Sequence, residues 1–216
     1  MKTTFIYSII LLLAGGFFIY TNIKLTKERD DYKDKYALFE NYKILNEDAV
    51  AQRVKNNNIK LGDDLVLTGL DNQKYKLKDL VKKTGIKMII RHNERGCGTC
   101  IEQELLILSE YSKAIGPENI LLISSHDSVR KLQVFKTTHN FDFTIVSCPK
   151  LLIPFEKDQN RPYIFTIDSN LVIGNFHIPE VDEPSLSKVY YSAIAKNYFG
   201  KKLSNTDQVA IIKTSL

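Results

Sequence analysis

The tetrapeptide Cys97-Gly98-Thr99-Cys100 stands between an apolar run, Met88-Ile89-Ile90, and a segment whose apolar residues recur at Ile101, Leu105, Leu108 and Tyr111. The run reads as a buried strand, and the recurrence has helical spacing. Two cysteines separated by two residues at the first turn of a helix can close a small disulfide ring. The unpaired N–H groups and positive dipole end of such a helix also favour a thiolate at the first cysteine. Strand, Cys-x-x-Cys and helix in that order is the context expected of a redox dithiol rather than of a chance pair.

On either side the pattern continues to alternate. Leu65-Val66-Leu67, a turn at Asp71-Asn72, then Tyr75 and Leu77 read as a hairpin. A short helix near Lys78–Lys83 and Gly85 lead into the strand Lys87–Ile90. The helix after the cysteines should stop at Gly116, with Pro117 just beyond. Asn119–Ser124 is a second near-continuous apolar strand, and Ser128 is placed to cap a helix carrying Val129, Leu132 and Phe135. Phe141–Val146 alternates as a short strand. Tyr163–Ile167 and Leu171–Phe176 flank a tight turn at Asp168-Ser169-Asn170, and a last helix runs from about Pro184 to Phe199. Strands alternating with helices imply an α/β fold: a largely parallel sheet covered on both faces, with a terminal hairpin adding antiparallel strands.

The first sixty residues differ in kind. No charged residue occurs between Lys2 and Lys24, and Phe5–Tyr20 is almost wholly apolar. Such a run, at about 1.5 Å per helical residue, reaches across a bilayer core of roughly 30 Å. A cleaved signal peptide competes with an uncleaved span. The one small-residue cluster, Ala14-Gly15-Gly16, is followed by bulky Phe17-Phe18-Ile19-Tyr20, which favours a single-pass anchor. Neither glycine nor proline occurs between Gly16 and Gly62. Leu25, Tyr32, Tyr36 and Phe39 sketch an amphipathic stalk helix, without the clean heptads that a coiled coil needs. Asn56-Asn57-Asn58 marks its end. The expected organisation is an anchor over 1–23, a helical stalk over 24–58, a folded α/β domain over 59–199 and a tail over 200–216.

At 216 residues, with 44% apolar and 25% charged residues, the chain has room for one domain with a real core plus an appendage. The net charge of +5 is spread among interleaved acids and bases, which excludes a nucleic-acid groove. Tetrahedral zinc needs four ligands. The remaining candidates, Cys148, His92, His126, His139 and His177, contain no second paired motif, so no metal is expected, although a structural disulfide or half of a zinc site is the bland reading of the cysteines. Cys148 reads as a buried inert thiol, and His177 as a strand-end surface residue. No glycine-rich nucleotide fingerprint is present; Gly96-x-Gly98 lacks the third glycine. With no cofactor expected, electrons would come from or go to another protein.

This order of elements, with a proline opening the final hairpin, resembles a thioredoxin-like fold. More narrowly, it is similar to the membrane-anchored TlpA-like thiol–disulfide oxidoreductases of the redoxin superfamily, over roughly 59–199. The resemblance implies that Cys97 attacks and Cys100 resolves. It also implies that Arg161-Pro162 before Tyr163 carries a cis-proline shaping the substrate groove, with Gly98 and Thr99 inside the ring beside it. Arg161 would add positive potential there. Glu94, Arg95 and His92 lie close enough in sequence to shift the Cys97 thiol, and read equally well as solvated loop residues. Two positions depart from the family: Gly96 stands where its members usually have Trp, and Gln103 where many have Glu. The implied partners are protein thiols and disulfides, with residues 3–23 in an inner membrane. Lys24, Lys27, Arg29, Lys33 and Lys35 would by the positive-inside rule hold the domain in the cytoplasm. Anchored relatives work outside it, and a domain of this size translocates largely regardless of charge, so the expectation is an extracytoplasmic domain. A thioredoxin-fold binding module with idle cysteines is the alternative. A thiol peroxidase is disfavoured because Asn93-Glu94-Arg95-Gly96 precedes Cys97 in place of the Thr-x-x-Cys pattern of peroxidatic sites.

Overall fold

The computed structural model describes residues 2–157 and 161–200, with the backbone alone for residues 2–14, 34–46 and 157. By its internal contacts the chain divides into two units, Met1–Asp48 and Ala49–Leu216. The first holds most of helix α1 (Lys2–Asn56), whose length follows from the absence of any helix breaker after Gly16. Among the described residues no helix is long and apolar enough to cross a membrane. The side chains of 3–14, on which most of the expected anchor falls, lie outside the described set, as does the tail over 201–216.

The second unit is α/β. Its elements are β1 (Val66–Gly69), β2 (Lys74–Lys76), α2 (Leu77–Lys82), β3 (Ile86–His92), α3 (Gly98–Ile115), β4 (Ile120–Ser124), α4 (Val129–His139), β5 (Thr144–Ser147), β6 (Tyr163–Asp168), β7 (Ile173–His177) and α5 (Pro184–Tyr198). They form one mixed sheet in the order β2-β1-β5-β4-β3-β6-β7. β3 and β4 are parallel, as are β4 and β5, joined by the crossovers through α3 and α4. β6 lies antiparallel on the other side of β3 and turns back into β7. The element order is the one expected from the sequence, with Leu77 opening α2 instead of closing the hairpin.

Because strand side chains alternate, each central strand feeds two cores. Met88 and Ile90 of β3, Leu122 of β4 and Ile164 of β6 pack with Leu105, Leu108 and Tyr111 of α3 and Tyr191 of α5. Ile89, Leu121, Ile123, Tyr163, Phe165 and Ile167 point the other way, onto Leu77, Val81 and Phe155. The end of α1 belongs to this second core. Asn56 is fully buried and accepts the Phe155 N–H through Oδ1 at 3.1 Å, while Asn57 Oδ1 accepts from Phe176 N at 2.9 Å. Asn58 then takes a left-handed φ of 62° and its N–H joins Ile173 O. The three asparagines do end the helix, but they do so by satisfying backbone groups about a hundred residues away.

Parity also puts Arg91 into the second core, where it is 2% exposed. Its Nε pairs with Glu156, and its Nη atoms donate to Cys148 O (2.6 Å) and Pro149 O (3.1 Å). Glu156 in turn accepts from Tyr163 Oη (2.9 Å) and Leu151 N (2.7 Å). A buried charge stripped of its partner is costly. Glu156→Ala should therefore lose about 3–5 kcal/mol of unfolding free energy, whereas Arg91→Met with Glu156→Leu should lose clearly less than the two single changes summed. Urea unfolding of the parent, Glu156→Ala, the two single changes and the double variant checks this; additive losses would mean that the pair is not coupled.

Candidate active site

β3 ends at the sheet's C-terminal edge, and the five residues from Asn93 carry the chain to Cys97. That loop is pinned. Asn93 O accepts the Gly96 N–H at 2.8 Å, and Asn93 Oδ1 takes Arg95 N (3.1 Å) and Ser125 Oγ (3.3 Å). Ser125 Oγ accepts from Glu94 N at 2.8 Å, and Ser125 N donates to His92 O at 3.0 Å. Glu94 is salt-bridged to Lys131 of α4 at 2.8 Å. The dithiol is thus bracketed between the ends of two parallel strands, where open α/β sheets place their ligand sites.

Cys97 is the N-cap of α3. Its φ of −67° and ψ of 108° are extended, and its Sγ accepts the Cys100 N–H at 3.2 Å. Thr99 Oγ1 lies 3.4 Å from the same sulfur. Cys97 and Cys100 are joined by a disulfide across a Cα–Cα distance of 5.3 Å. Their environments differ: Cys97 is half-buried and Cys100 is 7% exposed. Gly98 is exposed, and a Cβ placed on it would meet nothing within 4 Å. The ring therefore presents one accessible sulfur, over open space, at a helix N-terminus that favours its anionic form.

Pro162 is buried at the start of β6, next to Tyr163, which pairs with Arg91 of β3. It thus stands at the same end of the sheet as the dithiol loop. The expected cis bond is absent: no described peptide bond is cis, so Arg161–Pro162 is trans. Trans is the lower-energy isomer of an X–Pro bond by about 0.5–1 kcal/mol, and in it the Arg161 guanidinium reaches Pro179 O and Glu180, both at 2.7 Å. Glu180 therefore neutralises the charge that Arg161 was expected to lend to the dithiol. Gln103 donates to Val181 O at 3.0 Å, tying the same loop to the first turns of α3.

The histidines fall into two places. His92, His126 and His139 all contact the ring of Phe135, at centroid distances of 5.0, 5.5 and 4.3 Å. Burial pushes His92 down to about 4, with His126 and Arg91 adding to the shift, so it is neutral at physiological pH. Among the described residues no group of three or more His, Cys, Asp or Glu side chains is placed to hold a metal ion. Cys148 is buried, as expected, and burial raises its thiol. His177 contradicts its reading as a surface residue. It is 3% exposed and stacked on Tyr190 at 4.6 Å, because the chain after β7 folds α5 over it.

Glu104 is the residue that motif reading misses. It is 2% exposed, one helical turn beyond Cys100, and accepts from Tyr191 Oη and, at 3.0 Å, from Ser187 Oγ. Burial outweighs those hydrogen bonds and raises its carboxyl to about 7. The signal was present in the helical spacing: 101, 104, 105, 108 and 111 form one stripe, and a glutamate in an apolar stripe demands partners.

No protein-family model matches the sequence, and no curated protein matches it. Among solved structures the chain is similar to a candidate thiol:disulfide interchange protein, DsbE, from Chlorobium tepidum, with 17% identity, a TM-score of 0.47, and coverage of 63% of this chain and 99% of that one. A candidate protein disulfide isomerase from Bacteroides thetaiotaomicron matches at 17% identity and a TM-score of 0.47 over 65% of this chain and 91% of that one. Peroxiredoxin Q from Xanthomonas campestris matches at 18% and 0.48, over 65% and 99%.

The shifted groups set the pH dependence of stability. Glu104 is raised from 4.5 to about 7 on folding, so its contribution is fully present below pH 4.5 and is lost as pH rises through about 7. His92 and His177 are lowered from 6.5 to about 4, so their contribution is present above pH 6.5 and is lost as pH falls through about 4. Glu104→Gln removes the first dependence alone. Its stability relative to the parent should improve by up to about 3 kcal/mol between pH 5 and 8; a difference that stays constant over that range in urea titrations would contradict the assignment.

Proposed function

We propose that this chain is a thiol–disulfide oxidoreductase of thioredoxin-like fold, exchanging disulfides with protein substrates through Cys97 and Cys100. The observation that carries the reading is the asymmetry of the pair: an accessible sulfur capping α3, bonded to a buried one a turn inside. The run β3-α3-β4, with β6 antiparallel beside β3 and β7 antiparallel beyond β6, supports the thioredoxin-like assignment.

In the reducing half-cycle a partner thiolate attacks Cys97 Sγ in line with the ring bond. The bond from partner sulfur to Cys97 forms, Cys97–Cys100 breaks, and Cys100 leaves and takes up a proton. A second partner thiol, losing its proton, attacks its own bridged sulfur and releases Cys97 as thiolate. The partner ends as a disulfide, and this chain has gained two electrons and one proton, carried by Cys100, with Cys97 left as thiolate. Run backward, the same steps oxidise this dithiol and reduce the partner. Exposed Gly98 admits the partner backbone. Cys100, shielded from solvent, meets only a sulfur already attached to Cys97, so the ring recloses before a second partner can reach it.

Residues 3–23 form the tether in this reading, with the domain outside the cytoplasm, where disulfides persist. The uncharged run and the exposed Phe17, Phe18, Ile19 and Tyr20 support it.

Two single changes test the division of labour. Cys100→Ser, reduced and then offered oxidised glutathione, should hold one glutathione per chain on Cys97. Cys97→Ser should hold at most about a tenth of that, and its reduction of insulin disulfides should fall about a hundredfold. Equal adducts on both variants, or insulin reduction unaffected in Cys97→Ser, would overturn this division of labour; a parent that reduces no insulin, with no adduct on either variant, would favour a binding module.

A further inference from the structure

Behind the dithiol a chain of polar side chains runs inward from the last turns of α1. Exposed Arg53 donates through Nη2 to His177 Nδ1 at 3.5 Å. His177 Nε2 lies 3.3 Å from Ser187 Oγ, and Ser187 Oγ is 3.0 Å from Glu104 Oε2. Tyr191 donates to the other oxygen of Glu104. His177, Ser187, Glu104 and Tyr191 are each at most 3% exposed, so water is not available to substitute for any link among these four.

The donor directions are forced. A guanidinium has no lone pair to offer, so His177 Nδ1 must be the acceptor there. In the neutral ring the proton then sits on Nε2, and Nε2–H donates to Ser187. Ser187 has one hydroxyl proton, and with its lone pair engaged by His177 that proton points at Glu104. Arg53 thereby fixes a histidine tautomer, the tautomer fixes a hydroxyl rotor, and the rotor gives Glu104 a second donor. Hydrogen bonds to a carboxylate favour its ionised form. Glu104 lies four residues after Cys100 on the same face of α3, the separation at which helical side chains are neighbours.

We propose that Arg53, His177 and Ser187 are positioning residues that govern the proton on Glu104, so that the seating of the last turns of α1 regulates the dithiol end of α3. This rests on the oxidoreductase reading of Cys97 and Cys100. The charged and titratable groups around the chain are Arg53 from α1, His177 from β7, Tyr111 from α3, and Tyr190, Tyr191 and Tyr198 from α5. Arg53 is the one permanent charge among them. Its removal frees His177 to take the other tautomer and lets Ser187 turn its proton away.

The test uses the full chain with isotope-labelled glutamate. In the disulfide form the Glu104 carboxyl is titrated by NMR in the parent, Arg53→Met, Ser187→Ala and Arg53→Lys, with Lys55→Met as a control for loss of a basic residue near the same end of α1. Arg53→Met and Ser187→Ala should each move the titration of Glu104 upward by about one pH unit. Arg53→Lys, which still offers a donor to Nδ1, should restore it, and Lys55→Met should leave it unmoved. In a dithiothreitol redox buffer, the pH at which the slope of the Cys97–Cys100 midpoint potential changes should move with it. Midpoints in Arg53→Met and Ser187→Ala that match the control would overturn the proposal. So would a carboxyl shift that leaves the potential profile unchanged. If the parent itself shows no reversible couple, the oxidoreductase reading fails, while the carboxyl titration still reports whether the relay exists.

Discussion

The molecule is organised around strand β3. It is hydrogen-bonded along its length to β4 on one side and β6 on the other, and six of its seven residues are buried. Its two neighbours run in opposite directions, so its C-terminal end gathers a parallel strand end, an antiparallel strand start and the loop that becomes α3. Cys97 stands where that loop turns into a helix. Its position is therefore set by the pairing of β3, since its own contacts, the ring bond to Cys100, the N–H groups of Cys100 and Ile101 and the Thr99 hydroxyl, all lie within α3. A change that shifted β3 by one residue would exchange Arg91 with the apolar face and undo both cores.

The same constraint explains why buried polar groups are numerous yet orderly. Parity sends Arg91 to one face and His92 to the other. Arg91 finds Glu156 and two carbonyls, and His92 stacks on Phe135 while burial, helped by His126 and Arg91, keeps it neutral. Glu104 of α3 and His177 of β7 are joined through one serine of α5, Ser187. Groups of this kind contribute little net stability when satisfied and cost several kcal/mol when orphaned.

Much of this is legible in the sequence where the cause is local. The Cys-x-x-Cys between a three-residue apolar strand core and a helical stripe, the stop at Gly116 and the cap at Ser128, whose Oγ accepts from Lys131 N, all follow from neighbours within a few residues. Elements whose cause is distant do not. Asn56 and Asn57 look like a helix break, and nothing nearby reveals that their acceptors serve Phe155 and Phe176. β5 begins at Thr144 rather than Phe141, because Asn140 turns left-handed and Phe141 and Phe143 fill the α4 side of the core from the approach to the strand. The partners of Arg161 and the burial of His177 come from Glu180 and from α5. Both lie beyond any window in which periodicity can be read.

Helix α3 and solvent access together single out one sulfur. Alkylation of the reduced chain by iodoacetamide as a function of pH, followed by peptide mass spectrometry, tests it most directly. Cys97 should react with an apparent pKa below the ~8.5 of a free cysteine, Cys100 much more slowly, and Cys148 only on unfolding. Equal rates at Cys97 and Cys100, or a Cys97 pKa at or above that of a free thiol, would contradict the account.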